Sequence, residues 1–156
     1  MIQLKIPGKN IIEISEIVFD VNGTLAVDGK IIPGVIPRIQ ELKEIAVLHL
    51  LTANTHGKQE EIDRLLDLQA VLIQSGNEAD QKRSYVESLG PEQVIAVGQG
   101  AHDASMLKAA KIGICVGSPE GTAFSTLQQS DIFFPDIISA LDSILNPIRL
   151  KASLRD

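Results

Sequence analysis

Four polar residues follow apolar runs or open helix-period segments at intervals that could bring them together: Asp20, Thr52, Lys82 and Asp103. Asp20 ends Ile17-Val18-Phe19-Asp20 and leads into Val21-Asn22-Gly23-Thr24-Leu25. A carboxylate at a strand end can act as a nucleophile or bind a hard cation. The turn that Gly23 permits can show backbone N–H groups to an anion. Read locally, Asn22-Gly23 between apolar runs is also a plain hairpin-turn signal. Thr52 leaves Leu50-Leu51, where its hydroxyl and the N–H of Ala53 could hold an oxyanion, or where it could only cap a turn. Lys82, near Asp80 and Arg83, reads alone as a solvated helix residue. Asp103 closes Gly98-Gln99-Gly100-Ala101-His102-Asp103, which lacks the third glycine of a dinucleotide-binding loop. His102 and Asp103 are adjacent and expected to point apart, which argues against a joint zinc site. His49 and His56 are expected to be structural.

The elements that must position these residues are legible as periodicity. Strands are expected at Ile17–Asp20, Val47–Leu51, Val71–Gln74, Val94–Val97, Ile112–Val116 and Asp131–Phe134. Helical faces are expected from Val35, Ile36, Ile39, Leu42 and Ile45, and from Ile137, Ile138, Leu141, Ile144 and Leu145. Lys82 is expected to open a helix that Gly90-Pro91 ends; Ser118-Pro119-Glu120 and Pro135-Asp136 read as helix starts. Such alternation implies an α/β fold, a doubly wound parallel sheet with helices on both faces. Ligands bind beyond the carboxyl ends of such strands. The gaps between the four residues are 32, 30 and 21. A strand–helix unit takes roughly 30 residues, so the four should meet at one sheet edge.

Composition limits the partners. The 156 residues suit one domain, 1–156, and carry 20 acidic against 14 basic residues, a net charge of −6. Nucleic acid and anionic membrane are poor partners for such a chain. Aromatic residues are 3% with no Trp, which leaves little for base stacking. The lone cysteine, Cys115, lies in an apolar run, reads as buried and inert, and fits a cytoplasmic protein. No apolar stretch approaches the ~20 residues of a membrane helix, and the N-terminus has no signal-peptide core.

The Asp20-x-x-Gly23-Thr24-Leu25 run, the ordered Thr52 and Lys82, and Gly98-x-Gly100-x-x-Asp103 resemble the haloacid dehalogenase (HAD) superfamily, whose fold is a Rossmann-like three-layer α/β/α sandwich. The closest resemblance is to its soluble branch similar to the phosphorylation domain of P-type ATPases. The resemblance implies a Mg²⁺-dependent phosphohydrolase or phosphotransferase acting on a small phosphorylated substrate. By it, Asp20 becomes an aspartyl phosphate. Thr52, Ala53, Gly23 and Lys82 hold the phosphoryl group, and Lys82 also steadies Asp20. Asp20, the Asn22 carbonyl and Asp103 hold Mg²⁺, with Gln99 beside them. Two positions depart from the family pattern. Asn22 stands where most HAD phosphatases carry a general acid/base, and Gln99 where a metal-binding Asp is usual. An amide cannot donate or take the proton, so the chain is expected to be a slow enzyme, or alternatively a degenerate member that binds a phosphorylated ligand without turnover. A signalling receiver domain also orders Asp, Thr and Lys. It needs an earlier acidic pair, however, and only Glu13 and Glu16 precede Asp20.

No cap is expected, because ordinary elements fill the gaps and an inserted cap needs at least ~50 residues. Residues 24–33 read as a small β-flap turned at Asp28-Gly29. Pro147 is expected to close the last helix and leave a basic tail, 147–156. A capless site is expected to be sheltered by a homo-oligomer.

Overall fold

The six expected apolar runs form one parallel sheet in the computed structural model, which describes residues 1–54 and 57–155. In chain order the strands and helices are β1 (Ile2–Leu4), β2 (Ile12–Ile14), β3 (Glu16–Asp20), β4 (Ala26–Val27), β5 (Lys30–Ile31), α1 (Val35–Lys43), β6 (Val47–Thr52) and α2 (Gln59–Leu66). There follow β7 (Val71–Leu72), α3 (Glu78–Ser88), β8 (Val94–Gly98), α4 (Ala104–Ala109), β9 (Ile112–Val116), α5 (Phe124–Gln129), β10 (Ile132–Phe134), α6 (Ile137–Leu145) and α7 (Pro147–Leu154).

The sheet order is β10-β9-β8-β3-β6-β7, with every pair parallel. The chain runs outward from β3 to β7, returns to the other side of β3 as β8, and then runs outward again. The order therefore reverses between β3 and β8, where an open α/β sheet forms its ligand crevice. Strand alternation divides the core. Ile17, Phe19, Ile95, Val97, Ile112 and Ile114 face a large cluster completed by α1, α6 and α7. Val18, Leu51, Ala96 and Cys115 face a smaller one completed by Val86 of α3 and by Met106 and Leu107 of α4. Cys115 is fully buried, as expected, and burial followed by the Asp103 charge pushes its thiol up to about 11.

Several expectations need correction. α3 begins at Glu78, so Lys82 lies a turn inside it rather than opening it. Ser118-Pro119-Glu120 forms a turn, closed by Gly121 N–H to the Ser118 carbonyl, and α5 starts only at Phe124. The strand expected to reach Gln74 stops at Leu72 on the sheet edge. Pro147 starts a helix instead of closing one, since proline suits the first helical position. The expected tail is α7, whose Leu150 is buried and which packs on β1. The flap is the hairpin β4–β5, turned through Asp28 and Gly29 at positive φ. Among the described residues, the segment between β3 and α1 holds this hairpin and no cap-sized insertion. No helix among them is long and apolar enough to cross a membrane. His56 and Asp156 lie outside the described residues.

Candidate active site

Asp20 ends the central strand β3, on the sheet face that carries α3 and α4. Immediately after it the chain winds tightly: the Val21 carbonyl accepts from the N–H groups of Thr24, Leu25 and Ala26 at 3.2, 3.0 and 3.1 Å. This winding returns the Thr24 hydroxyl to Asp20, donating to Oδ2 at 2.9 Å. α3 is polar apart from one stripe in which Lys82 and Val86, four residues apart, are buried. Lys82 is only 1% exposed, and its Nζ donates to Asp20 Oδ1 at 2.7 Å and Asp103 Oδ1 at 2.8 Å. Asp103 reaches this position because its loop folds back across Gly98, where any Cβ would stand 2.7 Å from Asp103 side-chain atoms. Its Oδ2 accepts from the N–H groups of Gln99 and Gly100 at 3.1 and 3.0 Å.

The electrostatics follow from burial. Asp20 is 2% exposed; burial first and the Asp103 charge second raise its carboxyl to about 7, against the opposing pull of Lys82 and Thr24. Burial draws the Lys82 ammonium down, but the two carboxylates outweigh it and hold Lys82 above the ordinary lysine value. Two buried carboxylates share one ammonium, so the cluster carries excess negative charge that a cation would relieve. Among the described residues, no buried side-chain nitrogen or oxygen lacks a hydrogen-bond partner.

Thr52 ends β6, the neighbour of β3, with Ala53 exposed directly after it. Its Oγ1 accepts from Asn22 Nδ2 at 3.2 Å and from the Asn54 N–H at 2.9 Å. A hydroxyl has two acceptor sites and one hydrogen, so with both acceptors occupied the Thr52 hydrogen is left to donate elsewhere. Asn22 thus does something an aspartate could not: it donates to Thr52 and fixes which way that hydroxyl points. Gly23 differs from expectation. Its N–H donates to the Ala26 carbonyl at 2.7 Å instead of facing the crevice. What it supplies is a φ of +85° and space, because the ends of the Gln99 and Glu120 side chains lie where its Cβ would be. Both are flexible ends that can move, so the φ dominates the energetics. Gly23→Ala should lower stability by about 1–3 kcal/mol, read by urea unfolding.

The structure therefore joins Asp20 and Asp103 through Lys82, and bonds Thr52 to Asn22, two residues after Asp20. Sequence reasoning missed two participants. Thr24 lies inside the Asp-x-x-Gly-Thr run and bonds Asp20 directly. His102 was expected to diverge from Asp103. Instead, the 3₁₀ turn Ala101–Asp103 brings both side chains toward Asp20, with His102 Nε2 4.0 Å from Asp20 Oδ1. His49 keeps its structural role, bonded to Tyr85 and Glu16 at 2.9 and 2.7 Å.

No family model matches the chain. An uncharacterised protein of Methanocaldococcus jannaschii is 44% identical over 85 residues, 52% of this chain and 91% of that protein. A probable copper-exporting P-type ATPase of Archaeoglobus fulgidus is 33% identical over 105 residues, which are 66% of this chain and 13% of the transporter. Among solved structures, 3-deoxy-D-manno-octulosonate 8-phosphate phosphatase from Moraxella catarrhalis, complexed with magnesium, phosphate and its KDO ligand, superposes with a TM-score of 0.64. It is 18% identical, and the match covers 85% of this chain and 86% of that one. A HAD-family hydrolase from Streptomyces avermitilis gives a TM-score of 0.68 at 18% identity, over 88% of each chain. The chain thus belongs to one family with the uncharacterised M. jannaschii protein, and its sheet order and strand-end aspartate sit in the fold it shares with these phosphatase and hydrolase structures.

Proposed function

We propose that the chain is a slow, Mg²⁺-dependent phosphohydrolase that works through an aspartyl phosphate on Asp20. The observation that carries this reading is the single buried ammonium of Lys82 bridging Asp20 and Asp103. It holds a nucleophilic carboxylate at the crevice of the sheet and offsets part of the charge that a phosphoryl group brings. The donors fit a divalent cation, because two buried carboxylates share one ammonium and an ion would relieve their mutual repulsion. Asp20, the Asn22 carbonyl and Asp103 would hold Mg²⁺, with Gln99 offering a neutral oxygen, and the ion would supply charge neutralisation at the phosphoryl oxygens.

The steps belong to the side chains. An Asp20 carboxylate oxygen attacks phosphorus and forms an O–P bond while the bond to the leaving group breaks. The leaving group departs with the electron pair. Thr52, its hydroxyl turned by Asn22, donates to a phosphoryl oxygen, together with the Ala53 N–H. Lys82 keeps Asp20 oriented and neutralises the developing charge. Water then attacks phosphorus, releases phosphate and regenerates the Asp20 carboxylate.

Asn22 sets the substrate class. It has no proton to give, so the leaving group must be stable as an anion. Acetyl phosphate should be cleaved far faster than a sugar phosphate, and phosphate release under matched conditions tests this; equal rates would contradict it. Asn22→Asp should raise sugar-phosphate turnover by up to about 10²-fold. This is the low end of the ~10²–10⁴ general-acid range, because the change also removes the donor that orients Thr52. A second reading, binding without turnover, is favoured by Gln99, which removes a carboxylate from the metal side. The same assay separates the two. A cytoplasmic setting fits the single buried thiol, and a homo-oligomer would shelter the capless crevice; light scattering reads the latter.

A further inference from the structure

We propose that His102 is a ligand of the metal centre at Asp20 and Asp103, and that it turns this centre toward divalent first-row transition ions over Mg²⁺. The inference rests on the metal-dependent reading above and concerns which ion the site prefers. His102 Nε2 is 4.0 Å from Asp20 Oδ1, and ligand atoms of Asp20, His102 and Asp103 all lie within 4.8 Å of one another. Two ligands each ~2.1 Å from one ion stand roughly 3.0–4.2 Å apart, between right-angled and linear arrangements, so the imidazole and the carboxylate already have the spacing of a shared ion.

The loop is shaped for this approach. A Cβ on Gly100 would stand 2.9 Å from His102 Cε1 and 3.2 Å from Nδ1, so the ring lies folded over the glycine. Asp20 and Asp103 are buried and held by Lys82, Thr24 and the Gln99 and Gly100 N–H groups. The His102 side chain is 42% exposed, so neighbouring side chains leave it room to turn toward an ion. Lys82 does not preclude an ion, since Asp20 Oδ1 and Asp103 Oδ1, the two oxygens it bonds, each keep a second lone pair.

The chemistry of the donors points the same way. Gln99 supplies a neutral amide, so the site has less negative charge with which to draw Mg²⁺ out of its hydration shell. An imidazole nitrogen adds little for Mg²⁺ but suits the transition ions, whose affinity for nitrogen-containing sites rises along the first row. A neutral amide at position 99 and an imidazole at position 102 shift selectivity in one direction.

The test is calorimetric titration of the untagged, chelator-stripped full chain with Co²⁺ and, separately, Mg²⁺, in wild type and His102→Asn. Co²⁺ visible absorption serves as a direct report of ligand type. The expected result is a Co²⁺ dissociation constant raised about tenfold or more by His102→Asn, with a changed Co²⁺ spectrum. Mg²⁺ affinity should stay within about twofold. Unchanged Co²⁺ binding and spectrum, an equal loss for both ions, or no Co²⁺ bound by wild type would overturn the inference. Failure of the proposed reaction looks different. His102-dependent Co²⁺ binding without turnover of acetyl phosphate would sink the phosphohydrolase and leave this ligand assignment standing.

Discussion

Asp20→Asn is expected to abolish turnover while leaving the protein fully folded. Asparagine has the same shape but no nucleophilic oxygen anion, so no O–P bond can form. Loss of a covalent nucleophile costs on the order of 10⁴-fold or more in kcat. The fold should survive, because Lys82 retains Asp103 at 2.8 Å, although the amide oxygen can accept from Thr24 or from Lys82 and not from both. Removing one of two buried carboxylates even relieves the repulsion that raises Asp20. The relieved repulsion and the lost acceptor oppose each other, so urea unfolding should show Asp20→Asn folded and within about 2 kcal/mol of wild type. A variant that was inactive because it had unfolded would give no support to the nucleophile assignment.

Lys82→Met should do the opposite and strike stability hardest. Removing one partner of a buried ion pair typically costs about 3–5 kcal/mol, since the remaining charge is left without compensation. Here two carboxylates lose their shared cation, and a proton is the available replacement. Without the lysine, Asp20 loses the main influence holding its carboxyl down and keeps the two that raise it, burial and Asp103. Its folded pKa then lies still further above its unfolded value. A group raised in this way contributes stability at low pH and loses it as pH climbs through the folded pKa. In wild type that carboxyl already sits at about 7. The deficit of Lys82→Met should therefore widen as pH rises above about 7 and level off below it. Urea unfolding in metal-free buffer from pH 5 to 9 checks both the size and the slope.

The sheet was legible because its strands are short, largely apolar runs, buried on both faces at β8, β9 and most of β3, and all six were visible as such. The site was legible because Asp20, Thr52, Lys82 and Asp103 fall at intervals of about one strand–helix unit. What remained hidden depended on local geometry. Lys82 looked solvated because α3 is polar nearly throughout; only its alignment with Val86 marks the buried stripe. The His102–Asp103 pair reads as divergent unless the tight turn after Gly100 is known. The hairpin β1–β2 carries Ile2, Leu4, Ile12 and Ile14 in alternation around Pro7-Gly8, and its three-residue strands are too short to stand out as periodicity. Pro147 was ambiguous in kind, because proline both stops one helix and opens another. Gly23 was correctly expected at a tight turn, but the partner of its N–H, the Ala26 carbonyl, depends on how the flap returns.

The most direct test of the account is intact-mass spectrometry of the acid-quenched protein after mixing with acetyl phosphate and Mg²⁺. Wild type should gain the mass of a single phosphoryl group, hydroxylamine should remove it, and Asp20→Asn should gain nothing. Phosphate release with no adduct under rapid quench, or an adduct that persists in Asp20→Asn, would contradict it.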